Sequence, residues 1–297
     1  MNVTTPVIIS MIGLLPSIFT CVLNISLLKQ IERLFKFSAL KLFSTFKSIF
    51  RKKKHLILFK FRFFFDVILG ASVVAHLGFY IILTSFHDEF LPWRNMIFYF
   101  SLVSWNIGAA RSLTALTISV ERVMAVYVPI TYRNYRPYFP TFVIPIFAIG
   151  FGASDIFVLF NICDYQVNVP KECAALGCCI NACFNKYYSI NKGTAYILTV
   201  MFAILLSTKL FFLNKDSTEQ KTLSKANLLA LIDAANVIIF HFSPILFAFL
   251  FKHWFTAQNI GPIGVVSKMW GCALEALLVF GTLRKKSGTK TSTVNVI

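Results

Sequence analysis

Charged side chains are scarce in this sequence. Asp, Glu, Lys and Arg together make up 14% of its 297 residues, whereas soluble domains carry about 25%. Hydrophobic residues make up 57% of the chain. The composition therefore predicts a protein whose surface is covered largely by lipid rather than by water.

Acidic residues are scarcer still: 12 Asp and Glu stand against 29 Lys and Arg, which leaves a net charge of +17. Such an excess is typical of nucleic-acid-binding proteins, but here the basic residues lie in connections between long apolar segments. Basic residues in that position orient membrane helices and contact anionic headgroups. The charge therefore indicates a lipid bilayer as the partner, and no nucleic acid.

Motifs typical of enzymes are missing. The five histidines are scattered, and the chain has no His-x-x-x-His, no Glu-x-x-His and no phosphate-binding loop. We therefore expect no catalytic residues, no metal and no cofactor. The N-terminus has no basic stretch before its first apolar segment, which favours an uncleaved first helix over the alternative of a cleaved signal peptide.

Seven apolar segments are long enough to cross a bilayer, which takes about 20 helical residues. They cover residues 6–28, 63–83, 96–120, 139–162, 194–213, 227–251 and 262–283. Residues 1–283 are therefore predicted to form one domain, an all-α membrane protein built as a seven-transmembrane helix bundle. Residues 284–297 are predicted to form a short cytoplasmic tail.

Basic residues are concentrated in alternate connections. Eleven lie between residues 29 and 62, where Lys60 and Arg62 stand at the edge of the second span. The positive-inside rule makes this side cytoplasmic, with the N-terminus outside the cell and the C-terminus inside. Apolar residues between Ile31 and Ile49 recur at helical spacing. They indicate either an amphipathic helix on the inner leaflet or a continuation of the first helix.

An acid–arginine pair, Glu121–Arg122, stands at the end of the third span. It resembles the (D/E)RY motif of rhodopsin-like receptors. Arg122 can pair with Glu121 or with another helix, and breaking such a lock would let the helix ends separate and admit a G protein. Asp233, in the inner part of the sixth span, is a candidate partner for Arg122. The alternative is an arginine that only anchors its helix at the interface.

Three stretches resemble the nematode serpentine chemoreceptors, and class BC in particular. They are Glu-Arg-Val-Met-Ala-Val-Tyr-Val-Pro-Ile at 121–130 with Asn-Tyr-Arg-Pro at 134–137, the cysteine-containing 171–184, and Asn-Leu-Leu-Ala-Leu-Ile-Asp at 227–233. The resemblance covers nearly the whole chain, and the cysteine-rich stretch is its most specific part. It implies a G-protein-coupled receptor in the plasma membrane of chemosensory neurons, including their cilia. Its partners would be a small environmental or pheromonal molecule, a heterotrimeric G protein and, in an oligomer, an identical or different receptor.

Several features of rhodopsin-like receptors are absent. No cysteine stands near the outer end of the third span, around 93–98, and the seventh span lacks Asn-Pro-x-x-Tyr. The sixth span has Phe240-His-Phe-Ser-Pro244 where Cys-Trp-x-Pro would be expected. The details of rhodopsin activation therefore do not carry over to this chain.

Five of the seven cysteines lie in the second extracellular connection, and we expect them to form disulfides there because that side is oxidising. They are Cys163, Cys173, Cys178, Cys179 and Cys183. The number is odd, so one thiol is left free or pairs elsewhere. Zinc binding by the last four is the alternative.

Ionisable residues inside a membrane are costly and are candidates for function. Arg111 and Glu275 lie at compatible depths in the third and seventh spans, so we predict an ion pair between them. Direct binding of an anionic ligand by Arg111 is the alternative. Asp66 stands four residues after Arg62, a spacing that predicts a pair within one helix.

A small-molecule pocket is predicted in the outer half of the bundle, where a few polar groups stand among aromatic ones. The candidate lining residues are Trp105, Asp155, His241, Phe242, Lys268 and Trp270. Simple packing is the alternative for each aromatic side chain. Pro244 is a candidate hinge in the sixth span, and Asn2 is a candidate glycosylation site.

A transporter or channel for a small solute is the rival to the receptor interpretation, because Arg111, Asp155 and Glu275 could line a permeation path. Transporters often have repeated halves with broken helices at matching positions. The sequence has neither feature, so it favours a receptor that binds a small molecule and activates a G protein.

Overall fold

The computed structural model describes residues 4–40, 46–170, 173, 175–213, 221–250 and 262–284. Every regular element within these ranges is helical, and no strand occurs among them. The prediction of an all-α fold is therefore confirmed.

Within the described ranges, seven long helices, α1 to α7, follow one another. They are α1 (Thr4–Leu40), α2 (Phe46–Ser85), α3 (Met96–Tyr127), α4 (Val143–Phe157, continued as a π-helix over Val158–Ile162), α5 (Ala182–Leu213), α6 (Lys221–Asn236, continued as a π-helix over Val237–Phe242 and as an α-helix over Ser243–Leu250) and α7 (Ile263–Arg284). Short helices occupy His87–Phe90, Leu91–Trp93, Pro129–Tyr135, Arg136–Tyr138 and Leu176–Cys179.

The first two helices extend beyond their apolar segments. The sequence has no proline or glycine between residues 29 and 69, so nothing in it stops either helix. Helix α1 accordingly continues to Leu40 and α2 begins at Phe46. Ile31 and Phe35 thus lie in a continuation of α1, whereas Phe46 and Ile49 lie at the start of α2, and residues 41–45 lie outside the described ranges.

Five described helices are long and apolar enough to cross a membrane: Thr5–Glu32, Ile57–Ser85, Val143–Ile162, Ala182–Lys209 and Ile263–Gly281. Helix α3 falls short on hydropathy because its middle carries Asn106, Arg111 and several hydroxyl side chains. Helix α6 contributes a shorter apolar stretch, Leu229–Phe242. Polar residues in the middle of α3 and α6 indicate that these two helices face other protein elements more than lipid.

Helix α3 is the central element, since it packs against α2, α4, α5 and α6, while α1 packs against α2 and α7. The approach of α3 and α4 depends on Gly152: a Cβ atom there would lie 2.5 Å from the carbonyl oxygen of Asn106. Large apolar side chains such as Leu15 and Phe147 are exposed on the outside of the bundle, where lipid would cover them.

We name the two ends of the bundle by their residues. The cysteine-rich end is the one that carries Cys163–Cys183, and its core contains Phe98, Leu159, Leu176 and Phe184. The basic end is the one where α3 finishes at Tyr127, and the core there contains Leu58, Phe63, Ile118 and Leu206.

Candidate functional site

Five ionisable side chains from four helices meet inside the bundle and form what we call the central charge cluster. They are Arg62 and Asp66 of α2, Arg111 of α3, Asp233 of α6 and Glu275 of α7. All five are buried. The cluster therefore ties α2, α3, α6 and α7 together in the interior.

Glu275 is the hub of the cluster. Its Oε2 atom accepts hydrogen bonds from Arg62 Nη2 at 2.5 Å, Arg111 Nη2 at 3.2 Å and Asn236 Nδ2 at 2.7 Å. The Arg111–Glu275 contact therefore exists in the structure, but as one of several contacts rather than an isolated bridge.

Two expected partners are replaced by others. Asp66 does not pair within α2 as expected; it contacts Arg111 of α3. The ion pair of Asp233 is with Arg62, at 2.6 Å, and not with Arg122 as expected. The orientation of each helix about its own axis explains the partners of Asp66 and Asp233. A buried side chain pairs with whatever charge faces it across the bundle, regardless of spacing along its own helix.

Sequence reasoning placed Arg62 with the basic loop residues at the edge of the second span, and this was wrong. Arg62 is fully buried and contacts two carboxylates. A buried position was signalled only by the phenylalanines on either side of it, Phe61, Phe63 and Phe64. The run of basic residues at 51–54 outweighed that signal.

The charges of the cluster do not balance, since two guanidinium groups face three carboxyl groups. In a low-dielectric interior each of these groups is costly unless it is paired. The arrangement can therefore act as an electrostatic latch between helices, because moving α6 or α7 would separate charges that have no water to replace their partners.

A second polar group lies nearer the cysteine-rich end. Asp155 of α4 lies 3.3 Å from Lys192 Nζ of α5, and it accepts a hydrogen bond from the Tyr187 hydroxyl at 3.2 Å. The Lys192 ammonium also lies over the rings of Phe151, at 4.9 Å, and Tyr188, at 5.4 Å. Asp155 is thus a structural partner of Lys192, which lies in α5 just before the fifth apolar segment predicted from the sequence, 194–213.

Aromatic side chains continue this polar group toward α6 and α7. Trp105 stacks on Tyr188 at 4.1 Å, His241 meets Tyr196 edge to face at 5.7 Å, and Lys268 hydrogen-bonds to Tyr188. We call this set the aromatic–lysine cluster; its members are Trp105, Tyr188, Lys192, Tyr196, His241 and Lys268.

Two candidate pocket residues are more exposed than His241. Trp270 is 49% exposed and lies on the outside of the bundle. Phe242 is half-buried at the end of the π-helix in α6. The three tyrosines at 187, 188 and 196 were missed, since nothing in the sequence distinguishes them from packing residues.

Two disulfides cross-link the cysteine-rich end. Cys163 is joined to Cys183, which ties the end of α4 to the start of α5, and Cys173 is joined to Cys178. Cys179 is the buried free thiol of the five, with its sulfur 3.0 Å from that of Cys173. Because four of the five sulfurs are in disulfides, this arrangement does not provide the four thiolates of the zinc alternative.

Glu121 anchors a network at the basic end. It contacts Arg122, at 3.2 Å, and Arg136, and it hydrogen-bonds to Tyr132. Arg136 also donates to the backbone oxygen of Phe139 at 2.9 Å. Burial, together with the negative charge of Glu121, raises the pKa of Tyr132 above its usual range, so its hydroxyl keeps its proton.

Pro244 follows the π-helix of α6, and Asn2 lies outside the described residues. A proline has no N–H, so Pro244 cannot donate to the Phe240 carbonyl one turn earlier. Ser267 Oγ of α7 donates to that oxygen instead, at 2.9 Å. The proline and α7 are therefore coupled through one hydrogen bond.

The sequence model of the family described as serpentine type 7TM GPCR chemoreceptor Srbc matches residues 1–287. No curated protein matches the chain. The family match covers all seven long helices, the central charge cluster and the aromatic–lysine cluster.

Proposed function

Because the chain belongs to the Srbc family of serpentine seven-transmembrane chemoreceptors, we propose that it binds a small molecule at its cysteine-rich end and activates a heterotrimeric G protein at its basic end. A multi-pass membrane protein of this family is a chemosensory receptor and not a member of an enzyme class.

The proposed orientation has the N-terminus outside the cell and the basic end inside. Basic residues between 29 and 62 and after Arg284 support it through the positive-inside rule. The disulfides Cys163–Cys183 and Cys173–Cys178 support it too, since disulfides persist on the oxidising side of the membrane.

The observation that carries the proposal is the central charge cluster. It joins α6 and α7 to α2 and α3 at a depth between the aromatic–lysine cluster and Glu121. Lys268, Cys272 and Glu275 follow one another along a single face of α7, at spacings of four and three residues. A ligand that shifts Lys268 would therefore also shift Glu275, the residue of α7 that contacts α2, α3 and α6.

The basic end has the parts of a switch. Glu121 at the end of α3 pairs with its neighbour Arg122 and with Arg136 in the following connection. Release of Arg122 from Glu121 would change the surface that a G protein meets. The polar path from Lys268 to Glu275, and the contact of α3 with α6, supply a mechanical connection between the two ends.

Chemosensory neurons and their cilia are the proposed location, on the strength of the family's sensory role. A partner receptor, identical or different, is compatible with the exposed apolar side chains of α4 and α5. Lipid would cover the same side chains in a monomer.

The test uses basal signalling, so that no ligand is needed. Purified receptor in lipid nanodiscs is mixed with G proteins of each class, and guanine-nucleotide exchange is measured. Glu121→Gln is expected to raise basal exchange severalfold because it weakens the ion pair that holds Arg122. Adding Arg122→Ala to that variant should abolish the increase.

Arg133→Ala is the matched control, since Arg133 is an exposed arginine in the same connection. It should behave as the unmodified receptor. Absence of exchange with every G-protein class, together with an ion current through the purified protein in planar bilayers, would replace the receptor proposal by the channel alternative.

A further inference from the structure

We propose that the aromatic–lysine cluster binds a small organic anion, such as a carboxylate, with Lys268 as its charge partner and His241 as its hydrogen-bonding partner. This inference rests on the proposed function, because it names the chemical class of the ligand for the proposed sensing face.

The two lysines of the cluster differ in their partners. Lys192 faces the carboxylate of Asp155 at 3.3 Å, so together they form a neutral pair. Lys268 contacts the hydroxyl of Tyr188, a neutral group. Among the described residues, no carboxylate lies within ion-pair distance of Lys268.

The wider surroundings of Lys268 leave its charge uncompensated. Tyr188, which hydrogen-bonds to Lys268, is a phenol, and Cys272, one turn further along α7, is a thiol, so both are neutral when protonated. A cation inside a membrane-spanning helix is costly without a counter-ion. A bound anion would supply that counter-ion.

His241 supplies the second, independent observation. Its side chain is 3% exposed, and neither ring nitrogen has a hydrogen-bond partner. Ser267, next to Lys268, donates to the carbonyl oxygen of Phe240, next to His241, at 2.9 Å, so α6 and α7 are in contact beside both side chains. Buried polar atoms are satisfied in most folded proteins, so a ring with two unmet nitrogens beside an unpaired lysine points to an absent ligand.

The walls of the cluster favour an organic anion over an inorganic one. Trp105 stacks on Tyr188 at 4.1 Å, and Tyr196 meets the His241 ring at 5.7 Å. Aromatic faces beside a few polar groups are the usual surroundings of a small organic ligand. A carboxylate at Lys268 would direct its apolar part toward these rings.

The first experiment needs no ligand. Lys268→Met and Lys192→Met are compared by thermal unfolding of the receptor in nanodiscs. Lys268→Met removes an uncompensated charge and is expected to raise the unfolding temperature by about 2 °C or more. Lys192→Met leaves the carboxylate of Asp155 without its cation and is expected to lower the unfolding temperature. Lys268→Arg, which keeps the charge, should resemble the unmodified protein. A lower unfolding temperature for Lys268→Met would overturn the proposal.

The second experiment uses matched probes, namely hexanoate and phenylacetate with hexanamide and phenylacetamide. Either acid should raise the unfolding temperature with an affinity about tenfold or more above that of its amide, because a charge-assisted hydrogen bond is lost in the amide. The preference should fall to about twofold in Lys268→Met, where no cation remains to pair with the carboxylate. Equal protection by acids and amides, no protection by either acid, or equal protection by inorganic phosphate would each overturn the proposal.

Lys209→Met is the matched control for both experiments, since Lys209 lies on α5 beside Tyr127, near the basic end. Nucleotide exchange is recorded on the same samples. Protection by acids without any exchange would contradict the G-protein proposal and leave the anion site supported. Basal exchange without preference for acids would contradict the anion site and leave the G-protein proposal supported.

Discussion

One oxygen atom of Glu275 accepts hydrogen bonds from side chains on three other helices: Arg62 on α2, Arg111 on α3 and Asn236 on α6. Because two of the donors are charged, each contact is stronger than a bond between neutral groups. A carboxylate shared in this way makes the positions of all four helices depend on one residue.

Arg62→Met is expected to destabilise the receptor by about 3–5 kcal/mol, because it leaves Asp233 as a buried carboxylate without its cation. Adding Asp233→Asn should restore part of the loss, since Glu275 keeps Arg111 and Asn236. Thermal unfolding in nanodiscs measures both effects. Lys60→Met, at an exposed position on the same helix, is the control, and equal losses for Arg62→Met and Lys60→Met would contradict the prediction.

Cys179 should react slowly with thiol reagents at neutral pH. Burial raises the pKa of its thiol from 9.0 to about 12, so little of the reactive thiolate is present at pH 7. In the variant Cys21→Ala/Cys272→Ala, with both disulfides intact, the maleimide labelling rate should rise about tenfold per pH unit beyond pH 9. The same variant unfolded in detergent is the control, and there the rate should level off near pH 9. Levelling off in the folded protein would show that the pKa is not raised.

The element with the most irregular backbone is α6, whose middle is a π-helix from Val237 to Phe242. Such π segments often mark functional positions in helices. Pro244 comes directly after it, and the Phe240 carbonyl is held by Ser267 of α7. A hinge at this point would therefore be controlled from α7, the helix that also carries Lys268 and Glu275.

Ser267→Ala should destabilise the protein by about 1–3 kcal/mol, because it removes the hydrogen bond from α7 to the Phe240 carbonyl beside Pro244. Pro244→Ala in the same background restores a backbone donor and should recover part of the loss. Thermal unfolding of the two single variants and the double variant forms the test. Strictly additive effects would mean that Ser267 and Pro244 are not coupled.

Gly271 sets the distance between α6 and α7. A Cβ atom there would meet the Asn236 amide oxygen and lie 2.8 Å from Phe240 Cβ. Gly271→Ala should therefore push the helices apart, weaken the Asn236–Glu275 bond and lower the unfolding temperature. Gly264→Ala is the control on the same helix, because a Cβ atom at Gly264 meets nothing within 4 Å. A Gly271→Ala protein as stable as its Gly264→Ala counterpart would contradict the prediction.

The whole molecule is asymmetric across the membrane. Two disulfides stand at one end, and the basic residues at the start of α2 stand at the other. An epitope tag at the N-terminus should be stained on intact cells, and a tag at the C-terminus only after permeabilisation, because basic residues are retained on the cytoplasmic side. Replacing Arg51, Lys52, Lys53 and Lys54 by Gln should reduce the correctly oriented fraction. Staining of the C-terminal tag on intact cells would reverse the two proposed faces.

Much of the architecture follows from local sequence. Bilayer-length apolar segments predicted the helical bundle, and the cysteines between α4 and α5 marked the segment that carries the disulfides. These features depend on neighbouring residues, which hydropathy and spacing describe. Helix ends were less predictable, since α1 and α2 continue through basic residues that lower hydropathy without interrupting the helix.

What the sequence by itself determined is therefore the all-α membrane fold, its charge asymmetry and the depth of Arg111 and Glu275. Only the tertiary structure decided the partners: Arg62 meets Glu275 across 213 residues of sequence, Asp66 faces Arg111, and Lys268 lies beside Tyr188 and not beside an acid. The physical reason is that apolar segment length is a property of one helix. An ion pair depends on the rotation and position of two helices, which the packing of the whole bundle decides.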